Sequence, residues 1–390
     1  MTKFSLLLLP SLSLVTATTS ITPAPEQPKL TPRVPGHYPC DCYLVSGPDP
    51  GYFTSYRFWD FRNISLPQQQ PDPVLDLEFK LEPDSDASPL STADLWEAQT
   101  IPLSSTPFST DWAAQSWGRQ KTTDSIIPMV NSHTNAFFAR HPDYHGTSQL
   151  VLRTTRFEDS SSTAEIESHH GNFFHCSLRV RMRLMSREAV SHEPWDPTTV
   201  ENNVPRGACA GIFTYRSATC ESDVEFLTSD PLNTIHYANQ PDYDAANNIM
   251  IPGASKVVTD VPAPWSSWVT HRMDWLVSET RWYAGGELQA NLSLSVPDRP
   301  SILALNIWTD GGIWTGDMRI DESVYMGIEW IELAFNTSTA DLSSIEVNQR
   351  YRHRPSKRSK GETGGKRQTS GADAADRCER PCYLDNMQYY

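Results

Sequence analysis

The stretch 178–184 is the strongest local constraint on this chain. Leu178, Val180, Met182 and Leu184 alternate with Arg179, Arg181 and Arg183, and in an extended strand this period of two gives one apolar face and one basic face. The apolar face needs a core to cover it, while the arginines belong outside, solvated or in salt bridges. Segments with the composition of strands recur at 135–140, 149–157, 171–184 (which contains this stretch), 211–215, 234–238, 268–275, 280–283, 288–294, 302–307 and 327–335. Gly285-Gly286, between Trp282 and Leu288, supplies a hairpin turn because glycine tolerates positive φ. Many short strands joined by Gly, Pro, Asp and Asn predict an all-β chain of two packed antiparallel sheets. No dinucleotide-binding glycine fingerprint, phosphate-binding loop or internal repeat competes with this reading.

With 390 residues, 38% of them hydrophobic, the chain can bury a large core,. Residues 1–17 read as a signal peptide: Lys3 gives a positive start, 4–9 and 12–15 are apolar, and Val15-Thr16-Ala17 places small residues before a cut,. A proline-rich lead-in follows over 18–50, then a folded domain over 51–345 that opens on Tyr52, Phe53, Tyr56, Phe58, Trp59 and Phe61,. Within it, 68–91 reads as a surface excursion. The remainder, 346–390, reads as a basic, disordered tail, since Arg350 to Arg367 holds eight Lys/Arg against Glu362 alone.

The expected product is extracellular and soluble. No run approaches the roughly 20 apolar residues that cross a bilayer, and the C-terminus lacks the apolar tail of a lipid-anchor signal. A net charge of −15 gives no general attraction to nucleic acid,. Asn63-Ile64-Ser65, Asn291-Leu292-Ser293 and Asn336-Thr337-Ser338 are glycan acceptor triplets,. Seven cysteines suit an oxidising compartment,. Their pairing is open among Cys209–Cys220, a direct Cys40–Cys42 bond, and bridges from that region to Cys176 or to Cys378 and Cys382, with at least one left over.

The chemistry is carried by Glu221-Ser222-Asp223-Val224-Glu225. In a strand, the three acids share one face and Ser222, Val224 and Phe226 the other. Three acids side by side repel one another, a cost that points to function. Retaining glycoside hydrolysis needs such an array: one carboxylate as nucleophile and one carboxylic acid as proton donor, roughly 5 to 5.5 Å apart. Asp223 between them can share a proton and make their charge states unequal. Residue chemistry alone leaves the two glutamates interchangeable.

The motif Glu-x-Asp-x-Glu resembles that of glycoside hydrolase family 16, the laminarinase and lichenase family. The resemblance continues through Phe213-Thr214-Tyr215, His236-Tyr237-Ala238-Asn239, 268–275, Arg281-Trp282-Tyr283 with the two glycines, and Leu305-Asn306-Ile307-Trp308, covering about 51–336. It implies a concanavalin A-like β-jelly-roll sandwich with a concave sugar-binding face. It also implies catalysis with retention, with Glu221 as nucleophile, Asp223 as assisting carboxylate and Glu225 as acid/base. Ser222, where the family usually places an apolar residue, and Cys220 before the first glutamate are departures.

The implied partner is a β-glucan, held by aromatic platforms and hydrogen-bonding side chains; Tyr215, Tyr237, Asn239, Trp308 and Trp314 are the expected substrate contacts. Trp308 and Trp314 flank Thr309-Asp310-Gly311-Gly312, where glycines let a loop approach sugar. Trp265, Trp268, Trp275 and Trp282 belong by default to the core, and His236 to packing or the surface. His169, His170 and His175 do not form an ordered ligand set, so neither a catalytic metal nor a cofactor is expected. The reading is a secreted endo-hydrolase of β-1,3 or mixed β-1,3/1,4 glucan acting by double displacement. The alternatives are a cell-wall transglycosylase of the same chemistry and a noncatalytic glycan-binding protein.

Overall fold

The computed structural model describes residues 40–47, 51–67, 99–192, 200–338 and 378–386. The leader, the 68–91 excursion and the basic tract of 350–367 lie outside these. The described chain folds as a two-sheet jelly-roll sandwich. One sheet, the cleft sheet, runs Trp112–Ala114, Ser161–Ser168, Ile302–Trp308, Cys209–Ser217, Cys220–Leu227, Ile235–Gln240 and Ser255–Val258, each strand antiparallel to the next. The back sheet runs Ser55–Asp60, Ser323–Thr337, Phe173–Met185, Val269–Trp275, Thr280–Ala284 and Glu287–Leu292. The first half of Ser323–Thr337 pairs instead with Ser148–Arg156. Ser161–Ser168 belongs to both sheets: its start pairs with Ser148–Arg156 and its end with Ile302–Trp308, which closes one edge of the sandwich.

The alternating stretch behaves as its period requires. Leu178, Val180, Met182 and Leu184 are within the core, facing Val224, Phe226, Leu303 and Leu305 of the cleft sheet across the sandwich. Burial of a Leu- or Val-sized side chain contributes about 1.5–3 kcal/mol each, and this face supplies four in one strand. On the outside, Arg181 Nε donates to Glu329 Oε2 at 2.7 Å and Arg183 lies 3.2 Å from Asp143. Gly285 and Gly286 turn the hairpin at φ of 59° and 88°, conformations that a side chain disfavours.

The chain ends depart from expectation. Cys42–Leu44 pairs antiparallel with Tyr52–Phe53 and parallel with Pro381–Tyr383, making a three-stranded clasp on the outer face of the back sheet. The folded part therefore begins ahead of residue 51, and residues 378–386 of the expected tail are ordered structure. Two disulfides, Cys40–Cys382 and Cys42–Cys378, bind the clasp together. Val45, Phe53 and Leu384 pack under it against Ala334. Asp385 reaches from it to Arg179 Nη2 at 2.8 Å and Arg272 Nη1 at 3.3 Å. Burial would raise the Asp385 carboxyl, but Arg179, hydrogen bonds from Ser46 and Arg272 hold it below its ordinary value.

Cys176, Cys209 and Cys220 are free and buried. A Cys209–Cys220 bond is excluded by register: Cys209 lies opposite Leu227, at the far end of the strand that Cys220 begins, about 23 Å away at 3.3 Å per residue. Among the acceptor asparagines, Asn63 and Asn291 are exposed. Asn336 is engaged, accepting from Thr54 N and Oγ1 and donating to the Tyr52 carbonyl.

Both disulfides close nearly the same loop, of 342 and 336 residues, so either alone retains most of the chain-entropy effect. Removing one by Cys42→Ser with Cys378→Ser should cost little in a denaturant titration. Removing both should cost about 2–4 kcal/mol. Equal, additive losses would show that the two bonds act independently.

Candidate active site

The acid strand Cys220–Leu227 sits between Cys209–Ser217 and Ile235–Gln240. Val224 and Phe226 enter the core, so the alternate residues Glu221, Asp223 and Glu225 face outward from the cleft sheet. Register then builds three rows across this face. Glu221 lies between Tyr215 and Gln240, Asp223 between Phe213 and Ala238, and Glu225 between Gly211 and His236. One strand further, Asn306 stands opposite Gly211, and Glu165 opposite Asn306. Loops from 117–129 and the end of Ile302–Trp308 wall a groove of about 250 Å³ that holds all three acids with Tyr215, Asn306, Trp308, Trp117 and Arg119.

Gly211 is a position of close approach. A Cβ there would stand 2.7 Å from Asn306 Oδ1, so any side chain would displace Asn306 from the floor beside Glu225. Asn306 Nδ2 in turn donates to Glu165 Oε2 at 3.3 Å. Arg119 Nη2 donates to Asp310 Oδ2 at 2.6 Å, and its guanidinium lies over the Trp308 ring at 5.3 Å. The groove wall is thereby tied to the loop that carries Trp314.

The electrostatics separate the acids. Asp223 is 5% exposed; burial pushes its carboxyl up to about 6, against hydrogen bonds with Glu221 and Gln240 that lower it. Gln240 Nε2 donates to Asp223 Oδ2 at 3.0 Å. Glu225 is pushed further, to about 8, by burial and then by the charge of Asp223. Near neutral pH the site thus holds a protonated Glu225 beside an ionised Asp223. A proton donor at pH 7 is what general-acid chemistry on a glycosidic oxygen requires.

Of the expected substrate contacts, Tyr215 and Trp308 line the groove. Trp314 is 44% exposed and its side chain hydrogen-bonds Glu225. Tyr237 and Asn239 are elsewhere, at 1% and 0% exposure. Their register partners are Val224 and Ser222, so they point into the core with them. Tyr237 packs on Trp282 at 5.7 Å. Asn239 accepts from Ser222 Oγ at 2.6 Å and donates to the Leu294 carbonyl at 3.0 Å, and this pairing satisfies the buried hydroxyl that departs from the family pattern.

No family profile matches the chain. A β-glucanase of Paenibacillus polymyxa is 23% identical over 139 residues, 33% of this chain and 54% of its own length. A β-glucanase of Bacillus subtilis (strain 168) is 25% identical over 134 residues, 32% of this chain and 51% of its own. Over these stretches the chain is similar to bacterial β-glucanases. It spans about half the length of the curated relatives it matches. Among solved structures, a Bacillus licheniformis β-glucanase aligns over 60% of this chain and 96% of its own, at 16% identity and a TM-score of 0.44. A lichenase from a mouse hindgut metagenome aligns over 61% and 98%, at 17% identity and a TM-score of 0.43.

Against that background, several groove residues escape a first reading of the sequence. Glu165 lies on Ser161–Ser168, a strand hidden by its serines and glutamates, although Ala164 and Ile166 alternate beneath them into the core. Gln240 and His236 follow from parity once Tyr237 is known to face inward. Trp117, Arg119 and Met129 reach the groove on or beside the short strands Gly118–Arg119 and Met129–Asn131, which are too brief to leave a periodic signal. His236 lies at the groove's edge, its Nε2 2.7 Å from Asp230 and its ring edge-on to Trp314 at 5.1 Å. A larger depression of about 580 Å³ on the back sheet's outer face is floored by Arg179, Arg181 and Arg272, whose charges already have carboxylate partners.

A carboxyl held above its unfolded value binds more protons in the native state, so it lowers stability as pH rises from its unfolded value toward its folded one. Glu225→Gln removes that penalty. Its melting temperature should match the wild type near pH 4.5 and exceed it by a widening margin up to about pH 8. A constant difference across that range would contradict the assignment of a protonated Glu225.

Proposed function

We propose that the chain is a secreted glycoside hydrolase that cuts internal β-1,3 or mixed β-1,3/1,4 linkages of a glucan with retention of configuration. The observation that carries this reading is the projection of Glu221, Asp223 and Glu225 from one strand into one groove, with Glu225 holding its proton to about 8. Similarity to bacterial β-glucanases supports the substrate class, and the leader and the exposed Asn63 and Asn291 support secretion and glycosylation.

In this mechanism Glu225 gives its proton to the departing glycosidic oxygen while Glu221 attacks the anomeric carbon. The product is a covalent glycosyl ester on Glu221. Glu225, now ionised, takes a proton from the incoming water, whose oxygen attacks the same carbon and releases Glu221. Asp223 shares a hydrogen bond with Glu221, which couples the charge of the nucleophile to that of its neighbour. Tyr215, Trp308 and Trp314 offer aromatic faces to the apolar C–H faces of the sugar rings.

Time-resolved product analysis on laminarin, mixed-linkage glucan and xyloglucan tests this. The wild type should release short oligosaccharides from internal cuts, the first product keeping the β anomer. Glu221→Gln should lose kcat by on the order of 10⁴-fold. The rate should fall above about pH 8 as Glu225 ionises. Products longer than the supplied oligosaccharides would mark transfer to sugar, and no turnover on any glucan would remove the glucanase reading.

A further inference from the structure

Cys209 is the first residue of the strand beside the acids and is fully buried. Neither disulfide uses it. Its Sγ lies 3.6 Å from Glu225 Oε1 and 3.8 Å from the Ala210 carbonyl oxygen, so its one thiol hydrogen has two acceptors within reach. The free thiol is itself held protonated by burial, then by the Glu225 charge. It is a hydrogen-bond donor throughout the pH range of the site.

We infer that Cys209 is a positioning residue for Glu225, its thiol turning to the carboxylate when Glu225 has lost its proton and to the Ala210 carbonyl when Glu225 holds it. The inference rests on the acid/base role proposed for Glu225. The two steps of a retaining reaction ask opposite things of that carboxyl: a proton to give, then a free lone pair to receive one. A rotating thiol favours the ionised form by a weak charge-assisted bond without supplying a fixed charge that would ionise Glu225 prematurely. A Lys or Arg in the same place would do the latter, and an Asp or Glu the reverse.

The other groups facing Glu225 are accounted for. Asp223 on its own strand and Asp242 beyond Ile235–Gln240 raise it. Trp314 lowers it through a hydrogen bond. His236, its register partner on the next strand, is paired with Asp230. Gly211 opposite it has no side chain. Arg119 and Glu165 line the same groove.

The test compares wild type, Cys209→Ala and Cys209→Ser by the pH dependence of kcat/KM on mixed-linkage glucan and by ¹³C-carboxyl NMR titration of Glu225, its signal assigned through Glu225→Gln. Cys209→Ala should move the alkaline limb and the Glu225 titration upward by about half a pH unit or more. Cys209→Ser, which keeps a hydroxyl donor, should stay near the wild type. Superimposable profiles for all three proteins, or equal shifts in the Ala and Ser variants, would overturn the role. If the wild type turns over no β-glucan but the NMR titration still shifts in Cys209→Ala alone, the thiol contact stands and the glucanase reading falls.

Discussion

Everything in this molecule depends on the parity of one strand. Residues 220–227 alternate between a face that must be dry and a face that must be charged, and the sandwich satisfies both at once. Val224 and Phe226 hold the strand in the core, which forces Glu221, Asp223 and Glu225 outward together. A slip of one residue would bury three acids and expose the apolar set, so register here is under far stronger constraint than in an edge strand. The same parity propagates to both neighbours: Gly211, Phe213 and Tyr215 on one side, His236, Ala238 and Gln240 on the other.

That arrangement stores unfavourable electrostatics in the groove. Asp223 and Glu225 both sit above their ordinary values because their surroundings are poor in water. The surrounding fold offsets this with many neutral contacts in place of cations close to the acids. Gln240 donates to Asp223 and Trp314 hydrogen-bonds Glu225, while Arg119, in the same groove, is held in an ion pair with Asp310. A guanidinium beside Glu225 would relieve the strain and remove the proton donor with it.

The sandwich, the cleft-facing acids and the Gly285-Gly286 hairpin were legible because each rests on periodicity or on a local backbone requirement. The inner placement of Tyr237 and Asn239 was not, since an aromatic and an amide beside the acid strand look the same whichever side they face; only the pairing Val224↔Tyr237 decides it. Ser161–Ser168 is obscure for a different reason: only Ala164 and Ile166 mark its core face, two apolar residues among serines, a threonine and glutamates, which is too short an alternation to stand out from a loop. The clasp was legible only as one of several open cysteine pairings, because cysteines more than 330 residues apart obey no local rule, and the basic composition before Cys378 suggests a solvated tail.

The clasp sets an order of events during synthesis. Cys42–Leu44 emerges among the first described residues, yet its parallel partner Pro381–Tyr383 is among the last. Until the ribosome has passed residue 385, the outer arginines Arg179 and Arg272 lack the carboxylate that bridges them, and Val45 and Phe53 lack Leu384 as a cover. The two sheets can condense beforehand, since none of their pairings requires the clasp. A nascent chain therefore carries an apolar patch and two unpaired cysteines near its N-terminal end for most of its elongation, and a chaperone or thiol oxidant acting on it would meet that patch before the last strand arrives.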